Sequence, residues 1–218
     1  MKKLIIAAVL LPGMLSAPAM AVEITGNAGV VSQYIFRGIP QSDGNPAVQG
    51  GADVAWDNGF SVGTWFSSVD NATDNGIEGD FYGGWGGSTG DFNYFVGGTY
   101  YTYTNNWDED YAELNLRGGW KFLSVDIAVG EYDTDPTQDY TYAALKAEYN
   151  GFYAKVGNFS NDFDGTYYEV GYGNNLSVQD TYLFDYSIYY VYSDSDLVGD
   201  ADNNLVLGVT RKFDIFSN

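Results

Sequence analysis

The chain has no cysteine and no histidine in its 218 residues, only five prolines, and nine lysines and arginines against 29 aspartates and glutamates. Each shortage excludes something. Without cysteine no disulfide can staple an exported protein, so such a chain must close on its own hydrogen bonds. Without histidine, Ser-His and Cys-His nucleophile schemes fall away together with imidazole-ligated metals. A formal charge of −20 at pH 7 leaves little to neutralise phosphates, which argues against nucleic acid as a partner. Beyond the N-terminus no apolar run approaches the ~20 residues that a helix needs to cross a bilayer.

The N-terminal run is short and has the flanks of an export signal. Lys2 and Lys3 precede Leu4 to Leu11, then come Pro12, Gly13 and the small-residue site Ala19-Met20-Ala21. This predicts a signal peptide over residues 1–21, cleaved after Ala21. Residues 22–218 form the single remaining domain. Its charge is −22, because both charges removed with the signal are lysines.

Tyrosine (20), glycine (28) and phenylalanine (13) are abundant, which fits neither a disordered tail nor a typical soluble enzyme. The stretch Val30–Asp70 sets the pattern. Val48, Gly50, Ala52, Val54 and Trp56 alternate with Gln49, Gly51 and Asp53; the turn Asp57-Asn58-Gly59 follows, and a second alternating run begins at Phe60. Period two around a turn of that chemistry reads as an antiparallel hairpin. Tyr34 and Phe36 share its apolar face in the same reading. The unit repeats, predicting twelve strands over 24–36, 46–56, 60–69, 80–87, 92–103, 110–120, 122–132, 139–149, 152–160, 166–173, 181–192 and 204–214. Short gaps with turn residues alternate with long polar ones at 37–45, 70–79, 104–109, 133–138, 161–165 and 193–203. The expected fold is therefore all-β: a closed antiparallel transmembrane β-barrel of about 12 strands, with short periplasmic turns and longer extracellular loops.

Alternation alone also suits a soluble sandwich with its charges outside. The aromatic residues separate the two readings. Trp56, Phe60, Phe92, Trp120, Tyr149, Phe152, Tyr172 and Phe184 lie beside the short turns, while Tyr34, Phe36, Phe66, Tyr100, Tyr168 and Tyr190 lie beside the long loops. Two belts flanking a band of Val, Ala and Leu match the girdles at the two bilayer interfaces.

Ser32, Tyr34, Phe36-Arg37-Gly38-Ile39, Gln41-Ser42, Pro46 to Gly50, Gly59-Phe60, Gly63, Trp65 and Val69-Asp70 resemble the start of the TorF-type porin family of proteobacterial outer-membrane barrels. Tyr82-Gly83-Gly84, Tyr168-Glu169 and the ending Val206 to Phe213 continue the likeness. Pro40 departs from it, standing where that family usually has a small hydroxyl residue, and the chain runs past Phe213 to a second aromatic, Phe216. The resemblance implies an outer-membrane location and porin activity. Implied partners are outer-membrane lipid, lipopolysaccharide and the barrel-assembly machinery, with Phe213 or Phe216 as the assembly signal.

Charge is laid out unevenly. Eighteen of the 29 acids fall in or beside the long loops, against one base, Arg37. A mouth ringed with carboxylates favours cations; exposed loops are also commonly acidic for solubility alone. The loop residues Asp194, Asp196, Asp200 and Asp202 are the candidate mouth. Its oxygen ligands could hold a hard divalent ion, but the spacing and closing Glu of a helix-loop-helix calcium site are missing. The strand face opposite the apolar one supplies candidate pore-lining residues: Glu113, Arg117, Asp126, Lys146, Glu148, Lys155, Glu169 and Asp185, with Arg37 at the end of the first strand. The carboxylates Glu113, Asp126, Glu148 and Glu169 are expected to pair with Arg117, Lys146 and Lys155 rather than to perform acid–base hydrolysis. Tyr101, Tyr142, Tyr153, Tyr167 and Tyr189 point inward in this register and narrow the lumen. The expected function is a small pore for hydrophilic solutes or cations, with no enzyme activity and no cofactor. The alternative is a non-conducting structural or binding barrel that acts through its loops.

Overall fold

The computed structural model describes residues 21–217, so the predicted signal peptide, but for its last residue, lies outside the described residues. In chain order the strands are β1 (Val22–Val31), β2 (Ile35–Phe36), β3 (Ile39–Pro40), β4 (Ala47–Trp56), β5 (Phe60–Asp70), β6 (Asn75–Thr89) and β7 (Phe92–Tyr103). They continue as β8 (Tyr111–Trp120), β9 (Leu123–Tyr132), β10 (Gln138–Tyr149), β11 (Phe152–Asn161), β12 (Gly165–Val178), β13 (Thr181–Ser193) and β14 (Asp202–Ser217). All but β2 and β3 join one closed twelve-stranded ladder, and β1 seals it by pairing antiparallel with both β14 and β4. Closure leaves no sheet edge to shield. Among the described residues no helix is long and apolar enough to cross a membrane.

Turn chemistry sets the short end. Lys121, Asn150 and Gly151 take positive φ (53°, 52° and 82°), and the two-residue links at 121–122 and 150–151 hold Trp120 opposite Leu123 and Tyr149 opposite Phe152. That registration fixes which side chains face out. Leu114, Val125, Ile127 and Leu145 are exposed on the outside of the barrel, as are Val129, Val170, Leu205 and Leu207. Exposed aromatics flank them: Phe60, Phe92, Trp120, Tyr149 and Phe152 by the short turns, and Phe66, Tyr100, Tyr168 and Tyr190 by the long loops. Asp126 and Lys146, next in sequence to such residues, project inward.

Three strands differ from the sequence reading by five residues at one end. The first ends at Val31 rather than at residue 36, and residues 32–42 turn into the barrel. Tyr34 is consequently buried, and Phe36 packs against the ring of Tyr101; neither belongs to the outer belt. β6 begins at Asn75 and β12 runs to Val178, both longer than expected. Glu78 and Asp80 look like loop residues because they are acidic, yet a barrel interior accepts polar side chains at every second position. The buried core thus lies inside the barrel at its long-loop end, where Tyr101, Tyr111, Tyr140, Tyr142, Phe159 and Tyr167 cluster around the inserted segment.

Candidate functional site: a hairpin in the lumen and the cavity beneath it

After Val31 the chain leaves the ladder. Ser32 makes the last tie, its N–H donating to the Leu207 carbonyl at 2.8 Å while its Oγ accepts from the Leu207 N–H at 2.9 Å. Ile35 then pairs with Pro40 and Phe36 with Ile39. This leaves Arg37-Gly38 as a two-residue turn with positive φ at both positions, 49° and 85°. Such turns match the twist of a hairpin and favour glycine at the second position. The base is fixed by the Tyr34 N–H donating to Ser42 Oγ (2.8 Å) and the Gln41 N–H donating to the Tyr34 carbonyl (2.8 Å).

The tip is held by the barrel wall. Both terminal nitrogens of Arg37 donate to the Glu113 carboxylate at 2.8 Å, a bidentate pair. The guanidinium also lies 4.2 Å from the centroid of the Tyr142 ring. Ser193 Oγ donates to the Gly38 carbonyl at 2.6 Å. Glu113 is fully satisfied, accepting further bonds from Tyr101 (2.8 Å), Tyr140 (2.6 Å) and Asn115 (2.6 Å). Gly38 has no room for a side chain, because an added Cβ would meet Tyr167 Cβ and Cγ at 2.6 Å. Gly38→Ala should therefore lower stability by about 1–3 kcal/mol through clash and left-handed backbone strain, read as a fall in the urea midpoint with an unchanged slope.

Burial along a single strand locates the wet part of the lumen. The inward residues of β8 run Tyr111, Glu113 and Asn115, only 4–5% exposed, and then Arg117, whose side chain is 60% exposed. β10 repeats this, with Tyr140, Tyr142 and Ala144 buried and Glu148 exposed. The lumen is accessible from the short-turn end, and the hairpin and its tyrosines fill it at the long-loop end. The wet part is a cavity of about 950 Å³ that ends on Ile35, Phe36 and Arg37. Four bases line it (Arg37, Arg117, Lys146 and Lys155), and so do four acids (Asp53, Asp80, Asp126 and Glu169).

The sequence-predicted residues fall into three groups. Arg117 pairs with Asp126 at 3.1 Å, Lys146 with Glu148 at 2.5 Å, and Asp185 with Lys212 at 2.8 Å, all facing inward on the short-turn side. Glu113 and Glu169 take other partners than the expected bases: Glu113 binds Arg37, and Glu169 accepts from Tyr153 at 2.5 Å. Lys155 has no carboxylate oxygen within 4.0 Å among the described residues, and its ammonium lies 5.2 Å from the Tyr167 ring centroid. The mouth acids stand apart on the long loops. Asp194 caps the short helix Ser195–Val198, accepting from the Leu197 N–H at 3.0 Å, and its other oxygen accepts from the Thr166 N–H at 2.9 Å. Asp202 accepts from the Asn203 N–H at 2.7 Å, whereas Asp196 and Asp200 are exposed. On a neighbouring loop, burial pushes the Asp108 carboxyl above its ordinary range. Among the described residues no cluster of three or more acids, histidines or cysteines is arranged to hold a metal.

Sequence reasoning missed Gly38, Ser193 and Tyr140 as hairpin anchors, and Asp53 with Asp80 as cavity residues. The Phe-Arg-Gly-Ile stretch carried a signal for the first of these: two apolar pairs separated by two residues ending in glycine is a tight-hairpin pattern.

Comparison with curated proteins finds no match. Residues 16–188, well over half of the chain, match the family described as "Bacterial protein of unknown function (Gcw_chp)". The matched span takes in the hairpin, its Glu113 anchor and every base that lines the cavity. The chain belongs to this Gcw_chp family of bacterial proteins.

Proposed function

We propose that the protein is an outer-membrane barrel of porin type, with its long loops outside the cell and its cavity open to the periplasm. Its resting lumen is closed by the Arg37 hairpin. The observation that carries this reading is the exterior: a ring of exposed Val, Leu and Ile between two aromatic belts, around a closed ladder. Soluble monomers rarely expose apolar patches beyond a few hundred Å², whereas a barrel in lipid must. The polar, charged and hydrated interior supports solute passage rather than lipid binding. The TorF-type resemblance points the same way, and the proposed partners are outer-membrane lipid, lipopolysaccharide and the barrel-assembly machinery.

With the hairpin displaced, the pore is narrow and weakly cation-selective, and selectivity resides at the acidic mouth. Exposed charges there act through a field screened over ~8 Å at physiological salt. The reversal potential across a salt gradient should thus show a cation preference that shrinks as salt rises. Changing Asp194, Asp196, Asp200 and Asp202 together to Asn should reduce that preference and leave the barrel folded, since asparagine also caps helices. Acidification should reduce it as well, and Asp108 loses its charge early because its carboxyl is pushed up by burial. An anion-selective barrel would reject the reading. A second reading, a non-conducting binding barrel, is favoured by how fully the hairpin's anchors are bonded; it predicts silence in planar bilayers even when those anchors are cut.

A further inference from the structure

The cavity is neutral in its count of charges yet electrically divided. On β11, Lys155 presents an ammonium with no ion-pair partner. On β4 and β6, Asp53 and Asp80 present carboxylates that likewise lack a cation within 4.0 Å among the described residues. Counting round the ring in either direction, β11 is five strands from β4 and five from β6, so the two carboxylates flank the strand diametrically opposite Lys155. Asp53 is held in place by the Tyr82 hydroxyl, which donates to it at 2.7 Å. Asp80 lies against the Glu78 carboxyl, and among the described residues each has one buried oxygen without another partner, so Asp53 is the acid left for a ligand.

We infer that this cavity is a binding site for small zwitterions of the amino-acid or short-peptide class, with the carboxylate set towards Lys155 and the ammonium towards Asp53. A simple anion would face the Asp53 carboxylate, which has no ion-pair partner within 4.0 Å among the described residues, and a simple cation the Lys155 ammonium, which has none either. A molecule carrying both charges at its two ends satisfies both walls, and no wall charge has to be neutralised elsewhere. The cavity, at about 950 Å³, has ample room for a dipeptide by the usual size of small-molecule sites. The inference goes beyond passive diffusion and does not require it, because a solute can enter from the short-turn end while the hairpin stays closed.

The test uses the whole barrel in detergent micelles, titrated calorimetrically with three probes: glycylglycine, its N-acetyl derivative lacking the ammonium, and its C-terminal amide lacking the carboxylate. Glycylglycine should bind most tightly. Lys155→Gln should weaken glycylglycine and the acetyl derivative by about tenfold, the value of one good charged contact, and leave the amide unchanged. Asp53→Asn should weaken glycylglycine and the amide and spare the acetyl derivative. Lys155→Arg keeps the charge and should keep the binding, which separates a lost contact from a misfolded barrel. Equal affinity for all three probes, absence of binding by all three, or indifference to Lys155→Gln would each overturn the inference. A barrel that conducts but binds none of the probes defeats this inference alone; one that binds them with Arg37 removed yet stays silent defeats the pore reading alone.

Discussion

Arg37→Ala should destabilise the folded barrel by about 3–5 kcal/mol, the usual consequence of removing one partner from a buried ion pair. The Glu113 side chain has no exposure to solvent, and the remaining donors, Tyr101, Tyr140 and Asn115, supply hydrogen bonds but no positive charge. The carboxylate cannot stay ionised and dry. The strand that carries Glu113 is locked between β7 and β9 by ladder hydrogen bonds, whereas Ile35–Pro40 meets the wall through side chains, Arg37 on Glu113, Phe36 on the Tyr101 ring and Ser193 on the Gly38 carbonyl. The cheaper relief is for the hairpin to leave and admit water. Arg37→Ala should therefore conduct in planar bilayers far more often than wild type while losing urea resistance. Adding Glu113→Gln to Arg37→Ala should restore most of the stability, because no stranded charge remains, without restoring closure. A single variant as stable and as silent as wild type would remove the ion pair from the account.

Leu145→Arg should cost about 2–4 kcal/mol, the range for a base on the lipid face at mid-membrane. Lys146→Ala, one residue along, should fall within about 0.5 kcal/mol of wild type, as substitutions away from a packed site do. Leu145 is exposed on the outer face and pairs with Val125 and Val156 across the ladder. Lys146 faces the wet cavity, paired with Glu148 at its rim. Refolding titrations into lipid vesicles measure both. The reverse order of sensitivity would mean that this exterior does not meet lipid.

The barrel was legible in the sequence because its faces obey a strict period of two and its turns carry their own chemistry. Asn150-Gly151, for instance, cannot be mistaken for strand interior. The lumen was less legible. An inward carboxylate such as Glu78 and a loop carboxylate such as Asp74 look alike in one sequence, since both stand beside polar neighbours. Tyr34 and Phe36 continue the alternation of β1, so nothing local distinguishes an outer belt from a segment turning inward; the distinction comes from Trp65, Glu78 and Tyr101, which hold them inside from later strands. Pairing partners failed for the same reason. Lys155 and Glu169 stand directly opposite on adjacent strands, which suggests an ion pair, but the Tyr153 hydroxyl reaches Glu169 instead. Two-residue turns, by contrast, are decided by their own residues, and the Arg37-Gly38 tip belonged to that readable class.

Closure of the lumen between the acidic mouth and the cavity can be tested through the chain's lack of cysteine, which makes any introduced thiol unique. Asn93→Cys places a thiol in the cavity, and Asp200→Cys places one on an exposed long loop. Each variant, reconstituted in vesicles sorted by orientation, is treated with a small charged thiol reagent from one side at a time. Residue 200 should react only from the long-loop side and residue 93 only from the short-turn side, until Arg37→Ala is added and residue 93 reacts from both. Reaction of residue 93 from both sides in the otherwise unaltered barrel would contradict closure.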